Sequence, residues 1–401
     1  MNAPGTAGAP ARVLRVGIVA GEHSGDTLGA ALIQALRERV PQLECFGVAG
    51  PKMVAAGCTP WAGAEELGVM GLTEVLRHLP RLLRLRRDLK ARFLAERPDV
   101  FIGIDSPEFN LGLARDLKRT GIRTVQYVSP QVWAWRQGRV RTIGQAVDLI
   151  LCLLPFETDF YAAHGVAAEF VGHPLADAIP LEADRAGARR ALGLAGEGGV
   201  IALLPGSRMG EVSRLAAPFV AAAARIHAAQ PDWRFVAPMA SPAVREAFER
   251  EIAQTRGAPA IHVTDGHAQA ALAAADGVIV ASGTATLETL LTGRPMVVAY
   301  KTSAMTAFLL RTLGLVKVRY FSQPNLLAGR GAVPEFFQEQ VTGGALGDAL
   351  LQELSNRTHV AELLAEFTRI HRTLRRGGAA RAAEAVLAMI GPVPGGPDAR
   401  T

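Results

Sequence analysis

Two stretches of the chain carry the residue types that hold a nucleotide diphosphate. In "VIALLPGSRMGEVSRL" a hydrophobic run ends at Leu204, Pro205 and Gly206 turn the chain, and a helix is expected to begin near Met209. The N–H groups of Ser207 to Gly210 would then face an anion, favoured by the helix dipole. Arg208 adds a two-pronged donor suited to phosphate. In "VIVASGTATLETLLTGRP" a second strand ends at Ser282 and Gly283, Thr284 is the expected helix cap, and Gly293 ends the helix. Here the amides of Ser282, Gly283, Thr284 and Ala285 are candidates for phosphate. Glu288, one turn in and on the side of Thr284, could accept both hydroxyls of a ribose. An ordinary capped turn with a surface arginine, or a glutamate complementing the dipole, explains either stretch alone. Two such turns in one half of the chain weigh towards a ligand.

The first half offers carboxylates. In "FIGIDSPEFN" Asp105 ends a strand and is the candidate general base. The competing reading makes Asp105 or Ser106 the N-cap of a helix starting at Pro107. The opening turn, "VAGEHSGD", places Glu22, His23 and Ser24 at another strand end, where they should neighbour Asp105. Gly21, Gly25 and Gly29 are four apart, which is not the dinucleotide fingerprint, and no Walker pattern occurs. The turn has the architecture of a nucleotide site without its signature, so it is assigned to another ligand. His23, in a loop with no defined partner, reads as a polar loop residue.

These residues sit on alternating elements. Strand-like runs are "RVGIVAG", "LECFGVAG", "DVFIGID", "RTVQYVS", "DLILCLL" and "AEFVG", then "VIALLPG", "RFVAPM", "AIHVTD", "GVIVAS" and "RPMVVAY". Short, β-branched and apolar on both faces, they indicate doubly wound parallel sheets, with ligands at the carboxyl ends of strands. The division expected is a tail over residues 1–14, one domain over 15–175, a second over 176–345, C-terminal helices over 346–390 and a Pro/Gly tail over 391–401. Two similar domains facing each other across a cleft is the simplest assembly.

Composition bounds the partners. The 401 residues are too many for one typical core. A formal charge of +6 and a pI near 9.6 favour an anionic partner. Cys45, Cys58 and Cys152 lie in apolar runs without metal-ligand spacing, which points to a reducing compartment. No apolar run reaches the roughly 18 residues of a membrane span. The stretch from Met70 to Arg97 has eight Lys/Arg against three Asp/Glu, with Leu72, Leu76, Leu79 and Leu83 at helical spacing. Pro80 is expected to split it into two helices. Basic residues beside an apolar stripe suit an anionic bilayer, and a core-facing helix is the plainer alternative. In "VSPQVWAWRQGRVRTIGQAVD", Trp133 reads as core, and with no zinc spacing, helix-turn-helix or RNA-binding signature, nucleic acid ranks low.

"VAGEHSGD", "GIDSPEFN", "SPQVWAWR", "LLPGSR", "SGTATLE" and "PNLLAGRGAVPEFFQ", in this order across roughly residues 15 to 385, resemble the motif series of the lipid-A-disaccharide synthases. The resemblance implies a GT-B glycosyltransferase with two Rossmann-like domains and an active site between them. The implied reaction joins UDP-2,3-diacylglucosamine to 2,3-diacylglucosamine 1-phosphate, giving a β-1,6-linked disaccharide 1-phosphate and UDP. It implies inversion, no metal and no cofactor, and a cytoplasmic, peripheral place on the inner face of the inner membrane. By the same resemblance Arg208, Glu288, Asn325, Glu335 and Gln338 belong to the UDP-sugar side, and Asp105, Glu22, Ser24 and Asn110 to the acceptor side. A homodimer that exchanges C-terminal helices is a further implication. His23 stands where many relatives carry a small residue. On this reading helix N-termini and Arg208 supply positive charge to the leaving diphosphate. Asp105, with Glu22 in reserve, takes the acceptor proton. The glycines of the opening turn let the backbone approach the acceptor sugar. Rival readings are another GT-B enzyme, of the UDP-N-acetylglucosamine 2-epimerase or murein glycosyltransferase type, and a non-catalytic nucleotide-sugar or lipid-binding protein.

Overall fold

The computed structural model describes residues 13–67, 72–135, 137–194, 196, 198–302 and 319–391. Met70 lies outside them, as do the side chains of Glu22, Leu72 and Leu76. The chain divides into two compact units: residues up to Pro174 with those from Arg375 onward, and Leu175–Leu374.

The first unit is a seven-stranded parallel sheet. Its strands are β1 (Leu14–Ala20), β2 (Leu43–Ala49), β3 (Cys58–Gly63), β4 (Val100–Ile104), β5 (Arg123–Tyr127), β6 (Leu149–Cys152) and β7 (Ala168–Phe170), in the order β3-β2-β1-β4-β5-β6-β7. The second unit holds β8 (Val200–Leu204), β9 (Arg234–Met239), β10 (Ile261–Asp265), β11 (Gly277–Ala281), β12 (Met296–Tyr300) and β13 (Glu335–Phe337), in the order β10-β9-β8-β11-β12-β13. Central strands such as β4, β8 and β11 are buried along their whole length, because helices cover both faces. The eleven expected strands are all present. The pattern missed β3 and β13, one a half-exposed edge and the other three residues long, neither a continuous apolar run.

In each sheet the strand order reverses at one place, between β1 and β4 and between β8 and β11. At that switch point the loops leave in opposite directions and open a crevice over the carboxyl ends. The pairing Ala20↔Ile104 brings the opening turn beside Asp105. Val280↔Leu204 brings the Ser282 turn beside the Gly206 turn.

Two elements depart from expectation. Leu72–Glu96 is one helix with Pro80 inside it, not two. Beyond the proline, buried Leu89 and Phe93 and half-buried Leu82, Leu85 and Leu94 fix the helix on the sheet, and this packing outweighs one lost backbone hydrogen bond. The C-terminal helices do not form one block. Gly343–Ser355 and Arg357–Leu374 stay with the second unit, while Gly378–Ile390 adds Ala382, Ala383, Ala385 and Val386 to the first unit's core. Arg39 ties that last helix down by an ion pair to Glu384 at 2.7 Å.

Candidate active site

In the second unit, a cavity of about 470 Å³ opens over the carboxyl ends of β8 and β11. Its walls bring together both predicted turns: Gly206, Ser207 and Arg208 from one, Ser282, Gly283, Thr284, Ala285 and Glu288 from the other. Gly206 (φ +118°) and Gly283 (φ +154°) adopt backbone that L-residues rarely reach, so glycine is what allows each turn. Helices start directly behind them, at Met209 and Thr284. The first N–H groups of a helix have no partner in its regular ladder, and residues at both helix starts line the cavity. The Glu288 carboxyl is half-buried in the wall, and burial raises its pKa above the ordinary carboxylate range.

Several finer expectations change. Gly283, not Thr284, is the cap, and Thr284 is the first helical residue. The Ser282 N–H is not available to an anion, since it donates to Ala299 O at 2.8 Å as part of the sheet ladder. The Ser207 N–H donates to Glu211 Oε2 at 3.2 Å, four residues on, a contact the sequence reading did not anticipate. Asn325, Glu335 and Gln338 do not line the cavity. Asn325 is buried, accepting from Ala332 N and Val333 N at 2.7 and 2.9 Å and donating to Val333 O and Glu335 Oε1 at 2.9 and 2.8 Å. Glu335 also accepts from Phe321 N, Ser322 N and Ser322 Oγ. Gln338 Oε1 accepts from Thr302 N at 2.9 Å. Bonded to neighbouring backbone and to Ser322 Oγ and each other, these side chains brace the loops that carry them.

In the first unit, Asp105 follows β4 directly. It is not a helix cap: Ser106 holds that position, and no side chain caps the helix Pro107–Lys118. The Asp105 carboxylate makes no hydrogen bond or ion pair among the described residues. Among the described residues this half-buried carboxylate has no structural duty. The opening turn lies alongside as expected, since a Cβ on Gly21 would fall 2.3 Å from Ser106 Oγ. His23 and Ser24 are exposed in the first turn of the helix Glu22–Arg39, not in a loop as expected, because the chain turns at Gly21 alone. Gly29 serves packing, since a Cβ there would strike Met53 Sδ at 2.5 Å, while one on Gly25 would meet Ala20 at an ordinary 3.4 Å. Asn110, assigned to the acceptor side, is fully buried and holds strand-end carbonyls.

Sequence reasoning also passed over Asp26. It is buried and accepts from Lys52 N and Met53 N at 3.0 and 2.9 Å, fixing the helix Pro51–Ala55 after β2. Trp133 is packed as expected, donating to Glu157 Oε1 at 3.2 Å and meeting Phe156 edge-on at 4.8 Å. Leu79 and Leu83 are 41% and 47% exposed on the helix that also carries Arg84 and Arg87 on its surface. Among the described residues no helix is long and apolar enough to cross a membrane, and no group of three or more His, Cys, Asp or Glu could hold a metal ion.

Comparison with known proteins fits this geometry. The family model described as lipid-A-disaccharide synthetase matches residues 16–389. A lipid-A-disaccharide synthase of Alkalilimnicola ehrlichii is 54% identical over 380 residues, covering 94% of this chain and 99% of the relative. One of Pseudomonas aeruginosa is 52% identical over 377 residues, covering 94% and 98%. Among solved structures, the kitacinnamycin glycotransferase aligns with a TM-score of 0.62 at 19% identity, over 95% of this chain and all of that one. A UDP-GlcNAc 2-epimerase from Neisseria meningitidis, bound to UDP-GlcNAc, aligns at 0.58 and 11% identity, over 94% and 99%. At such identities these two report the fold alone, two parallel-sheet α/β domains of the GT-B type. The match along nearly the whole length, with half of the residues identical, is of another order: the chain belongs to the lipid-A-disaccharide synthetase family.

Proposed function

We propose that this glycosyltransferase of lipid A biosynthesis transfers 2,3-diacylglucosamine from UDP to the 6-hydroxyl of 2,3-diacylglucosamine 1-phosphate, with inversion. The observation that carries the donor assignment is the cavity at the β8/β11 switch point, where two helix starts, Arg208 and the Glu288 carboxylate converge. Backbone N–H groups and Arg208 bind the diphosphate and stabilise the charge that develops on it as it leaves. Glu288 accepts hydrogen bonds from the ribose. In the first unit Asp105 takes the proton of the attacking hydroxyl, which its uncommitted carboxylate supports, and Glu22 stands in reserve. The bond from the anomeric carbon to the UDP oxygen breaks as the acceptor oxygen bonds to that carbon. The proton passes to Asp105 and the electron pair leaves with UDP.

The acyl chains place the work at a membrane. The exposed Leu79 and Leu83 beside Arg84 and Arg87 support peripheral attachment of the Leu72–Glu96 helix to an anionic inner-leaflet surface on the cytoplasmic side. A dimer that exchanges the C-terminal helix Gly378–Ile390 is compatible with its docking on the first unit. Two measurements test the reading. Purified protein given the two diacyl sugars should release UDP and form the disaccharide 1-phosphate, and no UDP release sinks it. Replacing Leu79 and Leu83 by serine should release the protein from anionic vesicles with its melting temperature unchanged. Loss of fold would make those leucines core.

A further inference from the structure

Asp105 and Ser106 are consecutive L-residues in left-handed backbone, at φ +53° and +40°. Val128, just past the neighbouring strand β5, is at φ +74° although it is β-branched. Each such position is strained and persists only where the surroundings hold it. Two buried amides do the holding. Gln126, 1% exposed on β5, donates from Nε2 to Asp105 O at 3.0 Å, with Tyr127 O and Val128 O each at 3.4 Å. Asn110 donates from Nδ2 to the same Asp105 O at 2.9 Å and to Ile104 O at 3.2 Å. The Asp105 N–H donates to Tyr127 O at 2.9 Å, closing the strand end. Asn110 Oδ1 is buried with no partner among the described residues. An orphaned buried acceptor is a cost, carried here by a side chain whose Nδ2 holds strand-end carbonyls. Room for this side chain exists because Gly103 lacks a Cβ, which would lie 2.7 Å from that of Asn110.

We infer that Gln126, with Asn110 as its counterpart, is a positioning residue for Asp105. The two amides clamp one carbonyl, the clamp fixes the left-handed turn, and the turn fixes the direction of the carboxylate before substrate arrives. The inference rests on the proposed role of Asp105 as base. A carboxylate displaced by a fraction of an ångström remains a base but misses the attacking hydroxyl, so the loss should fall on kcat and not on binding.

The test is a double-mutant cycle. Gln126→Met keeps the length and removes the donor. It should lower kcat by roughly ten- to a hundredfold with KM for either sugar within about twofold. Added to Asp105→Asn it should slow the enzyme no further, because a residue acting only through Asp105 has nothing left to position. Losses that multiply, a KM-dominated effect, or near-wild-type turnover of folded Gln126→Met overturn the clamp. If Gln126→Met does not fold, Ser106→Gly serves instead. It loosens the same turn without touching either amide and should likewise lower kcat only in the presence of Asp105. Asp105→Asn alone reports on the base: wild-type turnover there overturns that role, and the clamp with it. A slow Asp105→Asn with multiplying losses overturns the clamp only.

Discussion

The turn after β4 and the turn after β11 occupy the same place in the two units, at the carboxyl end of a central strand beside the switch point. They are built from opposite materials. After β4 the chain turns through Asp105 and Ser106, L-residues in left-handed backbone held by buried Gln126 and Asn110. After β11 it turns through Gly283, with no side-chain cap, into a helix. The proposed roles of the two turns account for the difference. A base must be a side chain, so the first turn needs a Cβ and accepts the strain that comes with it. A diphosphate is met by backbone N–H groups, so the second turn needs an approachable backbone, and glycine supplies it.

The sharpest way to break this division is Asp105→Asn. It preserves shape and removes basicity, so kcat should fall by about 10²–10⁴-fold while UDP affinity, read by calorimetry, stays put. A parallel loss of UDP affinity would mean that the two turns do not divide the labour.

The first unit's dependence on buried side chains extends to Glu157. It is 3% exposed, accepts from Leu154 N at 3.1 Å and from Trp133 Nε1, and burial pushes its carboxyl up to about 7. Because the folded pKa lies above the unfolded one, the folded state binds the proton more tightly. The associated stability is fully present below about pH 4.5 and is lost as pH rises through about 7. A melting-temperature series from about pH 5 to 8 should therefore decline more steeply in the wild type than in Glu157→Gln, by the equivalent of about 3 kcal/mol across the window. Parallel curves would mean that Glu157 carries the same charge in both states.

On the second unit's side, Arg208→Ala or Glu288→Ala should weaken UDP binding roughly ten- to a hundredfold, the loss of one charged hydrogen-bonded contact of about 1.5–3 kcal/mol. Unchanged calorimetric affinity in both folded variants would remove the cavity from the donor role. The smallest effects separate the building materials themselves. Gly206→Ala meets both φ +118° and Glu211, whose Cβ would lie 2.7 Å away, so a destabilisation of about 1–3 kcal/mol is expected. Ser106→Gly relieves left-handed strain while adding freedom to the unfolded chain. Its stability should stay within about 1 kcal/mol of wild type. Equal losses in the two variants, measured by denaturant melts, would erase the contrast.

By itself the sequence determined the layers, the polarity and the addresses. Continuous β-branched runs separated by helical ones can only be buried as parallel strands, and turn residues at their ends mark where ligands bind. Asp105, Arg208 and Glu288 stood out as candidates for that reason, each a polar residue at the end of an apolar run or in the turn and helix that follow it. Only the tertiary structure decided which polar groups remain for chemistry. Asn325, Glu335 and Asp26 are as polar in the sequence as Glu288, yet their atoms are taken by backbone groups brought in from elsewhere in the fold. Gln126 sat unremarked inside a strand, and its partner Asp105 O lies twenty-one residues away. Hydrogen-bond satisfaction is a property of neighbours in space, which no local pattern of residue types encodes, so the strands could be read from the chain and the clamp beneath Asp105 could not.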